Sequence, residues 1–363
     1  MIVFFQPGYA HYRDELFAEL AKRHDILFIY ASSRNTYPDE SLPKSTKYLF
    51  MDEYFTFSWF GLILFLIKNK PEIIITSGLF SWFTIITMIY AGTFQKKYIL
   101  WLEDWRYCVP KEISFKNLIR RTRRLIGKLT ITKANRLIVS GSASYNYSVS
   151  FGIPQDRVLM VFQCAQDIRL RCDIRSGNSF REKKTFLYLS RVISWKGLDV
   201  LIHAFAKLEI DHDVELIVAG DGPFKNYCEM LCRQLNVKNI EFIDAVSPAF
   251  IHEVYQKADY FVLPSRFEGN AYEGWGLVIN EALSMGLPVI STDAVGAAFD
   301  LIMNGKNGFT VENNNVDALY CAMKNILKLD YEALSKTSRQ IFDNINNYQV
   351  MADGFSSALT SLR

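Results

Sequence analysis

The chain has 363 residues and a formal net charge of +3 at pH 7, and half of its residues are hydrophobic. Because a domain typically has about 150 residues, this length predicts two domains, each with its own buried core. A net charge this small gives no support to nucleic acid binding, which normally needs a strongly basic surface, so we expect no nucleic acid partner.

The cysteines and the amino-terminal segment indicate a reducing compartment. Six cysteines occur without a CxxC pair, and Cys228 and Cys232 would share one face of a helix. Two thiols do not make a zinc site, so we expect reduced thiols in a cytoplasmic protein. The apolar run that follows Met1 has no basic region before it and predicts a first strand, not a signal peptide.

The first half of the chain alternates short apolar runs with amphipathic segments. The runs predict strands over residues 2–6, 25–30, 72–76, 98–102, 136–140 and 158–161. These runs are continuously apolar instead of alternating, as expected for a parallel sheet with both faces covered by helices. A helix is predicted over residues 12–23, so residues 1–168 are expected to form an α/β, Rossmann-like domain.

One apolar stretch, residues 73–92, contains no charged side chain and is long enough to cross a membrane. Its pattern changes at Gly78, where a run rich in isoleucine gives way to a helical pattern. A strand, a turn and a helix of an α/β domain explain this change better than a transmembrane span.

The second half of the chain repeats the alternation after a polar, charged segment at residues 167–184, which predicts a linker. Strands are predicted over residues 186–190, 214–219, 240–243, 260–263 and 287–291, and helices over residues 197–208, 225–235 and 248–257. We expect a second Rossmann-like domain over residues 169–345, followed by a helical end of the chain.

The segment of residues 264–290 has the strongest functional pattern. A Pro-Ser turn ends a strand, and two glycines flank Trp275 before a helix that begins at Leu277 and ends at Gly286. Glu273 precedes this helix and Glu281 lies about one turn inside it. A helix amino terminus suits an anion such as a phosphate, and nearby carboxylates can accept hydrogen bonds from sugar hydroxyls. The alternative is a capped helix whose glutamates only complement the helix dipole.

This segment resembles the retaining GT-B glycosyltransferases of family 4, also described as glycosyl transferases group 1. The resemblance rests on the strand with its Pro-Ser turn, the two glutamates with seven residues between them, the glycine-aromatic-glycine sequence and the final Gly-x-Pro-Val. It implies two Rossmann-like domains facing across a cleft. It also implies a final helix, about residues 346–363, that crosses back onto the first domain.

Two cations should hold the donor diphosphate. Arg191 directly follows a predicted strand and Lys196 comes five residues later, just before the next helix. At the carboxyl end of a sheet, they could neutralise the charge that grows as a nucleoside diphosphate leaves. In the resembling family this arginine and this lysine have that role, so no metal and no other cofactor is expected.

The resemblance also assigns binding roles around the donor. It implies that Glu273 contacts the donor sugar near the reacting carbon and that Glu281 accepts hydrogen bonds from the ribose. Backbone groups are implied in the remaining contacts. They belong to Gly8, Gly220, Gly222, Val246, Gly274, Trp275, Gly276 and Leu277. The Gly-x-Gly at Gly220 lacks the third glycine of a dinucleotide fingerprint, because Lys225 occupies that position.

The chain departs from the family in its first domain. Many relatives carry a histidine after the strand that corresponds to residues 98–102, whereas this chain has Glu103 and Asp104 there. Either carboxylate could accept a hydroxyl or act as a weak base, and the alternative is a structural ion pair with Arg106. The spacing Asp211-His-Asp213 is that of a metal-binding DxD, but it precedes a predicted strand and indicates a solvated turn.

A basic amphipathic segment lies in the first domain at residues 115–136. Its cations surround apolar positions. The cations are Lys116, Arg120, Arg121, Arg123, Arg124, Lys128, Lys133 and Arg136, and the apolar residues include Leu118, Ile119, Leu125, Ile126 and Leu129. Together with the aromatic run at residues 54–60, this pattern favours peripheral binding to an anionic membrane surface over a merely solvated helix face.

The combined expectation is an enzyme that moves a sugar from a UDP or GDP sugar to a hydroxyl of a lipid-linked or saccharide acceptor. Cell-surface polysaccharide or lipopolysaccharide assembly at the inner face of the membrane would fit these features. Two alternatives stay open: a glycoside hydrolase that uses Glu273 and Glu281 as its acid/base pair, and a catalytically inactive protein that binds nucleotide sugars.

Overall fold

The computed structural model describes residues 1–32, 46–54, 58–107, 115–171 and 183–362. The chain divides into two compact units. The first unit comprises Met1–Gln163 together with Asn347–Arg363, and the second comprises Cys164–Asn346. Each unit is an α/β structure built on one parallel sheet, as the alternation of strands and helices predicted.

The first unit has a seven-stranded sheet in the order β3-β2-β1-β4-β5-β6-β7. Its strands are β1 (Ile2–Gln6), β2 (Ile26–Tyr30), β3 (Tyr48–Phe50), β4 (Ile73–Ser77), β5 (Lys97–Leu102), β6 (Arg136–Val139) and β7 (Val158–Met160). Its helices are α1 (Asp14–Arg23), α2 (Met51–Tyr54), α3 (Ser58–Asn69), α4 (Trp82–Thr93), α5 (Phe115–Lys133), α6 (Ser142–Val149) and α14 (Tyr348–Thr360).

Helices cover both faces of this sheet, and β1 shows how. The ring of Phe4 packs against Phe17 of α1 at 5.4 Å and against Phe355 of α14 at 5.8 Å between ring centroids. On the opposite face, Phe5 stacks on Phe83 of α4 at 6.2 Å. Burial on both sides explains why the strand is apolar at successive positions.

The second unit has a six-stranded sheet in the order β10-β9-β8-β11-β12-β13. Its strands are β8 (Lys184–Leu189), β9 (Val214–Ala219), β10 (Ile240–Ile243), β11 (Tyr260–Leu263), β12 (Val289–Thr292) and β13 (Gly308–Val311). Its helices are α7 (Leu198–Leu208), α8 (Lys225–Gln234), α9 (Ile251–Gln256), α10 (Leu277–Ser284), α11 (Ala298–Leu301), α12 (Val316–Ile326) and α13 (Tyr331–Ile345). The direction of winding reverses between β8 and β11, and a crevice that suits ligands forms at such a point.

The strand, turn and helix predicted for residues 73–92 are confirmed. They are β4, then Gly78 with a φ of +85°, then α4. Among the helices of the described segments, none is long and apolar enough to cross a membrane.

Several boundaries differ from the prediction, most of them by one or two residues. The helix expected over residues 248–257 is shorter and covers only Ile251–Gln256. The final helix expected over about residues 346–363 is α14 (Tyr348–Thr360), which Asn347 caps by accepting hydrogen bonds from the backbone N–H groups of Gln349 and Val350. Most of the linker predicted at residues 167–184 lies outside the described residues, and Lys184 already belongs to β8.

Candidate functional site

The carboxyl edge of the second sheet brings the predicted glycine turns close to neighbouring backbone. An added Cβ at Gly220 would lie 2.0 Å from the carbonyl oxygen of Ser190, and one at Gly222 would lie 2.3 Å from that of Val192. Both glycines have positive φ, +143° and +156°. The turn after β9 therefore lies directly against the loop after β8, a contact that only glycine permits.

Lys196 and Glu273 form a buried ion pair at this edge. The Lys196 ammonium donates a hydrogen bond to Oε2 of Glu273, and the two side chains are only 9% and 17% exposed. The ammonium also lies 4.7 Å from the centre of the Trp195 ring. Two of the predicted site residues, 77 positions apart in the chain, are thus in direct contact.

The backbone of Glu273 is fixed like that of a strand. Its N–H donates to the carbonyl of Ala294 at 3.0 Å, and its carbonyl accepts from the N–H of Gly296 at 3.1 Å. At Gly276, φ is +99° and an added Cβ would lie 3.1–3.3 Å from three neighbouring side chains. The loop that leads into α10 is consequently held in a single shape, with Gly276 at its tightest point.

Trp275 contributes its side chain to the core of the unit. It is 3% exposed, and its indole N–H donates to Oδ1 of Asn280 at 2.9 Å. This contact ties the loop to α10, which begins at Leu277 as predicted. A buried indole leaves only the backbone of residues 274–277 for the phosphate contacts that the resemblance implies.

Glu281 lies one turn inside α10 and is held by a residue that the sequence pattern did not reveal. The hydroxyl of Tyr255, on α9, donates to its Oε2 at 2.8 Å. Burial raises the pKa of Glu281 to about 7, and the hydrogen bond from Tyr255 lowers it only in part. Because Tyr255 is 26 positions upstream, on a different helix, no local spacing could have found it.

The two cations of the predicted clamp lie in different environments. Lys196 is buried, whereas Arg191 is exposed at the end of β8, and no acidic side chain of the described segments forms an ion pair with it. The turn that carries Lys196 is fixed by Arg266, which the sequence analysis did not single out. Arg266 donates to the carboxylate of Asp199 at 2.8 and 3.1 Å and to Oγ of Ser194 at 2.9 Å.

Val246 follows β10, the strand next to β9 in the sheet. The N–H of Gly220 donates to the carbonyl of Ile243 at the end of β10, at 3.0 Å. Val246 therefore extends from the same edge as the glycine turns, which is where the resemblance puts the nucleotide base.

Gly8, Glu103 and Asp104 lie in the first unit, after β1 and β5. An added Cβ at Gly8 would meet no atom within 4 Å. Glu103 accepts a hydrogen bond from Nη2 of Arg13 at 2.6 Å. Glu103 thus pairs with Arg13, and an ion pair of Asp104 with Arg106 stays a prediction.

Arg13 belongs to a buried network at the carboxyl edge of the first sheet. Its guanidinium donates to Oε1 of Gln6 at the end of β1 and lies 4.5 Å from the centre of the Trp101 ring. Oε1 of Gln6 also accepts from the hydroxyl of Ser77 at 3.1 Å. Burial lowers the pKa of Arg13, but the neighbouring Tyr12 and Glu103 raise it more, so the net shift is upward and the group stays charged.

The DxD spacing at Asp211–Asp213 lies away from the carboxyl edge of the second sheet. Asp211 and Asp213 precede β9, at the amino end of the sheet, and Asp213 pairs with Lys183 at 3.0 Å. The expectation of a solvated turn at this position agrees with that placement. Across the described ranges, no three His, Cys, Asp or Glu side chains come together as metal ligands would.

Comparison with known proteins is consistent with this geometry. The sequence profile of the family described as glycosyl transferases group 1 matches residues 172–343. A GDP-mannose-dependent alpha-(1-6)-phosphatidylinositol monomannoside mannosyltransferase of Mycolicibacterium smegmatis is 29% identical over 45% of this chain and 44% of its own length. The chain spans about half the length, or less, of the first curated relatives it matches.

Two solved structures cover nearly the whole chain. Sucrose-phosphate synthase from Thermosynechococcus elongatus has a TM-score of 0.76 at 17% identity, with 99% of this chain and 98% of that chain covered. The Anabaena protein HepE in complex with UDP has a TM-score of 0.75 at 17% identity, with 99% of each chain covered. The predicted GT-B fold is confirmed, and residues 172–343 match the glycosyl transferases group 1 family.

Proposed function

We propose that this protein is a retaining glycosyltransferase. It would move a sugar from a nucleoside diphosphate sugar to a hydroxyl of a lipid-linked or saccharide acceptor. The observation that carries this proposal is the buried contact between Lys196 and Glu273 at the start of α10. An ammonium and a carboxylate lie side by side at a sheet edge where ligands bind, which supports roles for them in holding the diphosphate and the sugar.

The proposed reaction uses these groups in order. Arg191 and Lys196 bind the diphosphate and stabilise the negative charge that develops on it as the bond to the sugar carbon breaks. Glu273 contacts the sugar, whose carbon becomes oxocarbenium-like. The acceptor oxygen then bonds to the same face of that carbon, and its proton passes to an oxygen of the leaving diphosphate. Because two cations already balance the charge, we propose that no divalent metal is required.

The nucleoside is proposed to bind along α10 and the glycine turns. Glu281 would accept hydrogen bonds from the ribose hydroxyls, and the segment that includes Val246 would contact the base. A UDP or a GDP sugar is proposed as donor, since one similar protein was solved with UDP and another is named as GDP-mannose-dependent. The glycine turns and the backbone of residues 274–277 would hold the phosphates.

The acceptor and the location are proposed from the first unit and from the relatives. The matched mannosyltransferase is named for a phosphatidylinositol mannoside, which is a lipid-linked sugar. The basic helix α5 is suited to an anionic membrane surface. We propose that the protein acts in the cytoplasm, at the inner face of the membrane, in cell-surface polysaccharide or lipopolysaccharide assembly.

Nucleotide binding and sugar transfer test the proposal together. Thermal unfolding is measured with UDP, GDP, ADP and CMP, and a ligand at about 100 times its Kd should add about 2.7 kcal/mol of stability. The nucleotide that stabilises is then offered as its sugar conjugates with saccharide and lipid-linked acceptors. Loss of both binding and transfer in Lys196→Ala, but not in Lys207→Ala on the exposed face of α7, is the expected result. Full transfer by Glu273→Ala would refute the role of Glu273.

A further inference from the structure

The first unit exposes an unusual number of large apolar side chains on one face of its sheet. They lie on α3, α4 and the residue after α4. They are Trp59, Phe60, Leu64, Ile67, Trp82, Ile89 and Phe94. Trp59 is 61% exposed and Ile89 is 58% exposed. No charged residue occurs in the sequence from Trp59 to Ile67 or over α4, so these two helices present hydrocarbon where a water-facing surface normally carries charge.

The opposite sides of these helices already form the core. Leu62 and Leu66 of α3 and Phe83 of α4 are buried with the strands of the first sheet. The exposed side chains are consequently surplus to the core of the unit, and α3 packs directly against α4, so their surfaces are continuous.

Helix α5 lies beside α4 and adds a second exposed apolar stripe together with positive charge. It packs against α4, with Gly127 so close to Phe80 that an added Cβ would lie 2.8 Å from its ring. Leu118, Leu125 and Leu129 repeat at spacings of seven and four, on the side away from Gly127, and all three are exposed. Cations flank this leucine stripe. The exposed ones include Arg121, Arg123, Arg124, Lys128 and Lys133.

An open groove lies within the apolar surface. It is lined by Trp59 of α3 and by Trp82, Ile85 and Ile86 of α4, and its volume is about 520 Å³. Tryptophan rings at a bilayer boundary put their apolar body among acyl chains and their N–H among the headgroups. Two tryptophans at the rim of one apolar groove therefore match that boundary.

We propose that α3, α4 and α5 form one membrane-insertion face, in which α3 and α4 enter the acyl-chain boundary of an anionic bilayer. The cations of α5 would lie at the headgroups, and the Trp59–Trp82 groove would accept acyl chains. This assignment deepens the proposed function, because a lipid-linked acceptor would be presented at this surface. The occupant is a lipid surface and not a second protein, since the leucine stripe and its flanking cations match hydrocarbon beneath anionic headgroups.

Depth-dependent fluorescence quenching tests insertion in the unmodified protein. The full chain is mixed with vesicles of phosphatidylcholine and phosphatidylglycerol, in which the phosphatidylcholine is brominated either near the carbonyl or near the methyl end of its acyl chain. We expect a blue shift of the emission and stronger quenching by the shallow bromines. Trp59→Phe combined with Trp82→Phe should remove most of that quenching. Of the other four tryptophans, Trp101 and Trp275 lie in the cores, and the half-buried Trp105 and Trp195 lie on none of the three helices.

Flotation with vesicles tests the face by substitution. Leu64→Glu combined with Ile89→Glu should weaken vesicle binding about tenfold or more, because both side chains are exposed and charge opposes their burial in hydrocarbon. Val350→Glu is the matched control: Val350 is 61% exposed on α14, across the same sheet, and should bind like the unmodified chain. Arg124→Gln combined with Lys128→Gln should weaken binding to anionic vesicles about fivefold per charge and reduce its salt dependence.

Three results would overturn the proposal. One is emission that bromolipids do not quench, and another is equal vesicle binding by the Leu64→Glu/Ile89→Glu and Val350→Glu variants. The third is concentration-dependent self-association that Ile89→Glu abolishes, since it would assign the face to a second copy of the chain. Vesicle binding is measured without nucleotide, and nucleotide binding is measured without vesicles. Failure of this proposal can therefore be told apart from failure of the proposed glycosyl transfer.

Discussion

The ammonium of Lys196 is hydrogen-bonded to Oε2 of Glu273, and this contact joins the turn before α7 to the loop before α10. Each side chain neutralises the other in a largely buried position. A diphosphate that binds beside Lys196 would compete for the ammonium, which would free Glu273 to contact the sugar. Binding of the diphosphate at Lys196 would thus be coupled to binding of the sugar at Glu273.

Removing the cation of this pair should affect stability and function separately. In Lys196→Met, Glu273 becomes a buried, uncompensated carboxylate, and we expect a loss of about 3 kcal/mol in the free energy of unfolding. Lys196→Met combined with Glu273→Gln should recover most of that stability while transfer stays absent. Urea unfolding and release of the nucleoside diphosphate measure the two effects.

The pair of Lys207 with Asp317 provides the control. It is exposed, so Lys207→Met should change stability by about 0.5 kcal/mol or less and leave transfer intact. If Lys196→Met is as stable as Lys207→Met, the buried pair does not contribute as described.

Glu281 should make nucleotide binding depend on pH near neutrality. Its pKa is about 7 instead of the usual 4.5, because burial disfavours the carboxylate. Ribose hydroxyls bind a carboxylate more strongly than a neutral carboxyl group, so affinity for the nucleoside diphosphate should weaken up to about tenfold per pH unit below 7. Calorimetric titration between pH 5.5 and about 8.5 measures this dependence. Any dependence that persists in Glu281→Gln belongs to the phosphates of the nucleotide.

The same group gives a stability prediction with a definite sign. Since the folded pKa lies above the unfolded one, the folded state binds the proton more tightly. Stability should therefore fall as pH rises from about 4.5 to about 7 and then level off, by about 3 kcal/mol at most. Glu281→Gln should lack this component. A stability curve of Glu281→Gln that parallels that of the unmodified protein over this range would contradict the assignment.

Much of the fold could be predicted from the sequence because the parallel strands are buried on both faces. The bounds of β1, β9, β10 and β11 agree with the predicted ones, since each is a continuous apolar run between turn residues. The loop into α10 could also be anticipated, because its glycines and glutamates form a local pattern. The exposed apolar helices α3 and α4 were less clear, because hydrophobic residues alone do not tell which side of a helix faces the core.

The partners of the site residues could not be predicted in the same way. Tyr255 contacts Glu281 because α9 leads into β11 and α10 follows that strand, and Arg13 contacts Glu103 from 90 positions away. Such contacts arise from the topology of the sheets. A single sequence gives only local spacing, so it offered no sign that Arg13 would hold Glu103.

An added methyl group should destabilise the fold at one glycine and have little effect on stability at another. Gly220→Ala should cost about 2 kcal/mol or more, because its φ is +143° and the new Cβ would overlap the carbonyl of Ser190. Gly8→Ala should change stability by about 0.5 kcal/mol or less, since nothing lies within 4 Å of the new Cβ. If Gly8 lets backbone approach a reactant, Gly8→Ala should still raise KM. Gly92→Ala, which also has open space around it, controls for a general effect of the methyl group.

Glu103 and Asp104 can be separated by matched amide substitutions. Arg13 holds Oε1 of Glu103, and its Oε2 has no hydrogen-bond partner within the described part of the chain. That oxygen is therefore oriented and available for an acceptor hydroxyl. Glu103→Gln should lower kcat/KM about 100-fold or more, because the acceptor hydroxyl loses a charged and oriented hydrogen-bond acceptor, and Asp104→Asn should lower it less. The reverse order would assign the position of the family histidine to Asp104. Arg13→Gln, which frees Glu103 to move, should lower kcat/KM as well, whereas a purely structural Glu103 would make Arg13→Gln affect the melting temperature alone.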